Sequence, residues 1–190
     1  MTNNDLDKLK IELAISVKSG LAFIISASII WSIISFIWTL SYSSYNKSVF
    51  TFIVGGLMLP MAFLMTKIIK ASWGLENNPL QPLGLILNFA QLFYFPILIF
   101  SLIKTPDYFI MVYAIITGAH FFPYAWLYKT NVFAIIGAII SLGAMIIGLM
   151  VSKENLFLIP LFVTFSLVIM SILLGISHKN RLAEQVNLSM

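Results

Sequence analysis

Six apolar runs, at residues 20–40, 49–69, 80–103, 108–127, 132–150 and 156–176, leave this chain little choice of solvent. Each is close to the ~20 residues that a helix needs to cross ~30 Å of hydrocarbon. Inside a bilayer every backbone N–H and C=O has to be paired within the protein, so the six runs predict six transmembrane helices. Composition points the same way. The chain of 190 residues is 60% hydrophobic and 9% charged, with a mean hydropathy of +0.99, far from a soluble globular domain. The links between runs are too short to fold separately, so residues 1–190 form one domain: an all-α, polytopic integral membrane protein.

The ends of the runs fix an expected orientation. Lys8, Lys10, Lys18, Lys67, Lys70, Lys129, Lys179 and Arg181 fall on one side, against Lys47, Lys104 and Lys153 on the other. That places both termini in the cytoplasm. Trp38, Tyr42, Tyr45 and Tyr108 fit an outer aromatic belt, and Trp73, Trp126 and Tyr128 an inner one. Residues 1–18 carry Leu6, Leu9 and Leu13 at helical spacing among charges, which predicts an amphipathic segment lying on the membrane surface. The run at 20–40 is too long for a signal-peptide core and reads as a retained first span. Residues 177–190 read as a cytoplasmic tail, with His178 at the end of the last helix, where positive charge suits the helix dipole.

One internal echo stands out. Gly55, Leu59-Pro60, Ala62 and Leu64 align with Gly118, Phe122-Pro123, Ala125 and Leu127. The same offset lays the first run over the third, which suggests a parallel repeat of helices one and two as helices three and four.

In lipid, polar and small residues at helical spacing mark the face that packs inward. The first span shows Ser28, Ser32, Ser35 and Thr39, the third Gln81, Gly84, Asn88 and Gln91, and the fourth Tyr113, Thr117, His120 and Tyr124. The fifth shows Gly137, Ser141, Ala144 and Gly148, a packing seam. In the sixth only Thr164 and Ser171 hint at a face. Asn88, Gln91 and His120 are the hardest to place by packing alone, because an unpaired amide or imidazole in hydrocarbon costs kcal/mol. Asn88 and His120 each lie seven or eight residues from the cytoplasmic ends of their spans, roughly 10–12 Å deep. They define a polar layer with Gln91, Tyr124, Thr117 and Ser32. Pro60, Pro96 and Pro123 predict helix kinks near that layer, each freeing the carbonyl four residues back, at Gly56, Leu92 and Ala119, to hold water, bind a cation or accept from these side chains.

Several chemistries lack parts. There is no cysteine, and with no carboxylate inside a span and one intramembrane histidine, no metal site or cofactor is expected. No nucleic-acid partner is expected from lysines that flank spans, and no catalytic residue is assigned, although Ser28 or Ser32 with His120 as base is conceivable from depth.

Asn78-Pro79-Leu80 with Leu83-Gly84, Asn88 and Gln91, followed by Gly118-Ala119-His120, Pro123 and Trp126-Leu127-Tyr128-Lys129, resembles a family of uncharacterised bacterial integral membrane proteins of about this length. The resemblance covers most of the chain and implies the bacterial inner membrane; it supplies no activity. Three readings stay open. The first is a permease-like or small-ligand-binding bundle whose polar layer lines a cytoplasm-facing cavity for a small amphiphile, with a homo-oligomer expected for any transport path. The second is an accessory or immunity-type protein acting through helix–helix contacts, and the third is an intramembrane enzyme with His120 as base.

Overall fold

A computed structural model describes residues 3–189, and side-chain surroundings for residues 5–185. Its elements are α1 (Asn3–Ser16), α2 (Leu21–Thr39), α3 (Ser44–Gly55), α4 (Met58–Ile68), α5 (Gln81–Ala90), α6 (Phe95–Lys104), α7 (Phe109–Ala119), α8 (Phe122–Leu127), α9 (Val132–Met150) and α10 (Leu158–Ser189), with short 3₁₀ turns between some of them. No strand occurs among the described residues. Five helices are long and apolar enough to cross a membrane, and α3 with α4 makes a further pair bent by 42°. Their outward side chains suit hydrocarbon: Phe93, Phe100, Phe122, Leu149 and Phe165 are all exposed.

The centre of the bundle is α2, α10, α9 and α7, with α4 packed on α2, while α5 and α6 stand at the periphery. α10 contributes Ile159, Val163, Leu167, Met170 and Leu174, all fully buried. This seam repeats at spacings of three and four, the periodicity of knobs packed into holes. Thr164 and Ser171 instead return their hydroxyls to carbonyls one turn back, on Pro160 and Leu167.

The fifth-span stripe is a seam. A Cβ on Gly118 would stand 2.6 Å from the Gly137 carbonyl and closer still to Ser141 Oγ. The two backbones therefore touch, and Ser141 Oγ donates to the Ile115 carbonyl at 3.1 Å. Only glycine permits that approach, which is the way small residues let membrane helices associate.

Each proline sits just beyond a helix break. α3 gives way to α4 at Gly56-Leu57, ahead of Pro60; a 3₁₀ turn over Gln91–Tyr94 precedes Pro96; and α7 gives way to α8 at His120-Phe121, ahead of Pro123. The proline ring removes a donor from the ladder, and the backbone tightens to recover one. At the second break the Leu92 carbonyl, denied its partner by Pro96, accepts from Phe95 N–H. It is taken by a backbone donor, unlike the exposed carbonyl the sequence suggests there.

α1 packs on the bundle by its apolar face: Leu13 and Ala14 are in the core, and Ser72 N–H donates to the Ser16 carbonyl at 3.1 Å. α1 meets α2 through left-handed Lys18, Ser19 and Gly20, and at Gly20 (φ 71°) a Cβ would press on the Tyr128 ring. Trp38 and Tyr128 are buried in place of belting the rim, because Trp38 Nε1 donates to Thr51 Oγ1 at 3.0 Å and Tyr128 stacks on Tyr124. The last helix continues to Ser189, so His178 lies well inside α10, where no terminal dipole acts on it.

Candidate functional site

The Gly84 carbonyl, one helical turn before Asn88, gathers two side-chain donors. Asn88 Nδ2 reaches it at 3.1 Å from its own helix, and Tyr124 Oη at 3.0 Å from α8. The Tyr124 bond ties peripheral α5 to α8. Beside them, the ring of His120 lies 4.4 Å from that of Phe121 and 6.1 Å from that of Tyr124. His120 Nδ1 is 2.7 Å from the Thr117 carbonyl. A carbonyl only accepts, so Nδ1 carries the proton and Nε2 presents a lone pair.

Asn88, Gln91, Thr117, His120 and Tyr124 all line one cavity of about 350 Å³. That volume is in the range of small-molecule pockets. Its inner wall is Ala27, Ile30 and Trp31 of α2 with Phe121 and Phe133, and its end is closed by Leu13, Val17 and Tyr128. Among the described residues no charged side chain lines it. Ser32 is not in this group: it is exposed on another face of α2, and its hydroxyl returns to the Ser28 carbonyl at 2.7 Å. Ser28 likewise bonds the Ile24 carbonyl. A serine one turn from its own acceptor carbonyl satisfies itself wherever it points, so depth alone misplaces it. Neither serine lines the cavity, and the Ser–His pairing drawn from depth is not formed.

The cavity also holds polar groups that the stripe reading left out of the site. Tyr113, Tyr128 and Gln81 line it beside the five. Tyr113 belongs to the α7 stripe one turn before Thr117, and Tyr128 follows Tyr124 by one turn, so helical spacing was the signal for both. The Tyr113 and Tyr128 hydroxyls, the Gln81 and Gln91 amides, Asn88 Oδ1 and His120 Nε2 form no hydrogen bond with another described residue. Tyr128 is only 7% exposed. Gln81, Asn88, Gln91, Tyr113 and His120 are half-buried, and all six groups offer donors and acceptors toward a shared space.

The family of unknown function DUF7010 matches residues 6–177. The chain belongs to this family. No curated protein and no solved structure matches it. In this DUF7010 protein the two motif stretches divide their work between the cavity and α1. Asn78, 2% exposed, donates from Nδ2 to the Leu9 carbonyl at 2.8 Å and to Glu12 Oε2 at 3.3 Å, and accepts from Leu80 N–H. Lys10 Nζ stands 3.4 Å from the centroid of the Trp126 ring, and Lys129 pairs with Asp7. The Lys129 hydrogen bond holds the Asp7 carboxyl below its usual 3.8. Asn78, Trp126 and Lys129 thus clasp α1 across the end of the cavity, while Asn88, Gln91 and His120 face inside it.

Proposed function

We propose that this DUF7010 protein is a permease-like, small-ligand-binding bundle of the bacterial inner membrane, with six spans, both termini cytoplasmic and the polar cavity reached from the cytoplasm. A neutral or weakly charged amphiphile is the ligand class. The observation that carries this reading is the convergence of Asn88, Gln91, Thr117, His120 and Tyr124 on one uncharged cavity with unpartnered donors and acceptors. Amide, imidazole and phenol groups recognise hydroxyl and carbonyl oxygens, and without a fixed charge they do not compensate a bare ion. Broken helices support it further. Counted from Ser44, from Lys104 and from Phe109, the three breaks fall after 12, 10 and 11 residues, ~15–18 Å along each helix, so they lie at similar levels. Discontinuous helices meeting at mid-depth are how transporters build binding sites in lipid. The sequence echo falls on two of these breaks, which favours a repeated unit, and a homo-oligomer would widen any path through so small a bundle.

The absence of native cysteine makes the test direct. Single cysteines at Asn88, Gln91 and Thr117 are treated with a membrane-impermeant thiol reagent in right-side-out and inside-out vesicles. Labelling from the cytoplasmic side alone is the expected result, and labelling from both sides would add alternating access. Protection from both sides in folded protein refutes the wet cavity and leaves an accessory bundle working through its surface. His120→Ala separates these readings again, lowering ligand binding or flux in the first case and only stability in the second.

A further inference from the structure

The cavity has one wall unlike the others. Toward α2, α7, α8 and α9 it is bounded by buried side chains of the core. Toward α4 and α5 it is bounded by Leu59, Leu85, Phe89 and Leu92, which are also exposed on the outer surface at 46%, 41%, 48% and 50%. α4 and α5 follow one another in sequence, yet no substantial packing joins them. α5 is instead held from the far side, through Tyr124 and Gly84. Both elements that frame this gap are interrupted beside it, at Gly55-Gly56 and at Gln91-Leu92, and these residues line the cavity. Apolar side chains exposed at the depth of a span face hydrocarbon, so the gap opens sideways into the bilayer.

Resting on the cavity reading above, we infer that the ligand is a neutral single-chain lipid that passes from the bilayer between α4 and α5, its hydroxyl or carbonyl headgroup reaching Asn88, Gln91 and His120 while its chain stays at Leu59, Phe89 and Leu92. The lining runs from apolar side chains exposed at the gap to the unpartnered polar groups of Asn88, Gln91 and His120 within the cavity, the order such a molecule needs. Phospholipid is disfavoured by the same lining. Among the described residues no lysine, arginine or other charge borders the cavity to hold a phosphate, and bringing one into this space would leave it uncompensated. A polar solute without a chain would gain nothing from four apolar residues at the gap.

The test uses the full-length protein carrying Gln91→Cys in phosphatidylcholine vesicles, with the rate of thiol labelling as readout. Monooleoylglycerol is the probe and glycerol its chainless counterpart. Monooleoylglycerol is expected to slow labelling about tenfold once present at ten times its Kd, by simple mass action, with glycerol without effect. Leu59→Trp and Phe89→Trp, each at an exposed position and so compatible with folding, narrow the gap. Both are expected to abolish protection by monooleoylglycerol, read within each variant as the ratio of the labelling rates with and without the lipid. Protection by glycerol equal to that by the lipid, protection that survives in both tryptophan variants, or no protection at all overturns lateral access by a lipid while the cavity stands. A Gln91→Cys protein that never labels removes the cavity, and this inference with it.

Discussion

Replacing Tyr124 by Phe and Asn88 by Leu, singly and together, probes the one polar joint between α5 and the core. The Gly84 carbonyl has two lone pairs. The α-helical bond from Asn88 N–H occupies one, leaving Asn88 Nδ2 at 3.1 Å and Tyr124 Oη at 3.0 Å to share the other. Either single substitution leaves a competing donor in place. Each is therefore expected to cost no more than the ~0.6 kcal/mol average of an interhelical hydrogen bond in a membrane protein. The double variant strips the second lone pair of every side-chain donor, and its cost rises toward the ~1.7 kcal/mol upper end of that range. The double variant should thus lose more than the sum of the singles, by several tenths of a kcal/mol. Reversible unfolding in mixed micelles with increasing dodecyl sulfate measures all three on one scale. Strict additivity would refute the shared-acceptor argument, and a single-variant loss as large as the double would show that one donor alone carries the joint.

Gly118→Ala is expected to destabilise by about 1–3 kcal/mol, because the added methyl meets the Gly137 backbone and overpacked cores lose that much. Gly175→Ala, where nothing lies within 4 Å, should gain about 0.5–1 kcal/mol in the same unfolding assay from helix propensity alone. Asn78→Ala removes bonds to Leu9, Glu12 and Leu80 at a buried site. A loss of about 1–3 kcal/mol is expected, with limited proteolysis cutting first between α1 and α2. Asp7 has its pKa lowered by Lys129, so the stabilisation it lends is present above the unfolded value of 3.8 and fades as pH falls through the lower folded value. Protection factors of the α1 amides, which correct for the intrinsic rate, should accordingly fall somewhat below about pH 4, and Asp7→Asn should show that lower protection already at neutral pH with the pH dependence gone.

The long apolar helices were legible because a bilayer imposes a length. The polar layer was legible because a polar side chain in hydrocarbon has few places to go, and so Asn88, Gln91, Thr117, His120 and Tyr124 meet at one cavity. Where the sequence misled, a rule had two physical readings. Serine at helical spacing marks an interface only if its hydroxyl looks outward, and Ser32 turns back to Ser28. Aromatic residues near span ends mark a belt only if they face lipid, and Tyr128 faces the cavity. The centrality of α10 was invisible to a search for small and polar stripes, since its buried seam is Ile, Val, Leu and Met against an exposed side that is equally apolar.

The cations near the span ends carry a similar ambiguity. Read as charges alone, Lys18, Lys129 and Arg181 only orient the chain. In the structure each also closes a helix end or a joint. Lys18 Nζ donates to the Ile69 carbonyl at 2.7 Å, just past α4, and Arg181 donates at 2.9 Å to the carbonyls of Tyr128 and Lys129, just past α8. Those are the last carbonyls of the two broken helices, where positive charge is favoured by the dipole. The pairing ties the end of α4 to the turn that precedes α2, and the end of α8 to α10. α5 has no such lock beyond Tyr124 and Gly84. The side less tied in this way is the one between α4 and α5, where Leu59, Leu85, Phe89 and Leu92 are exposed.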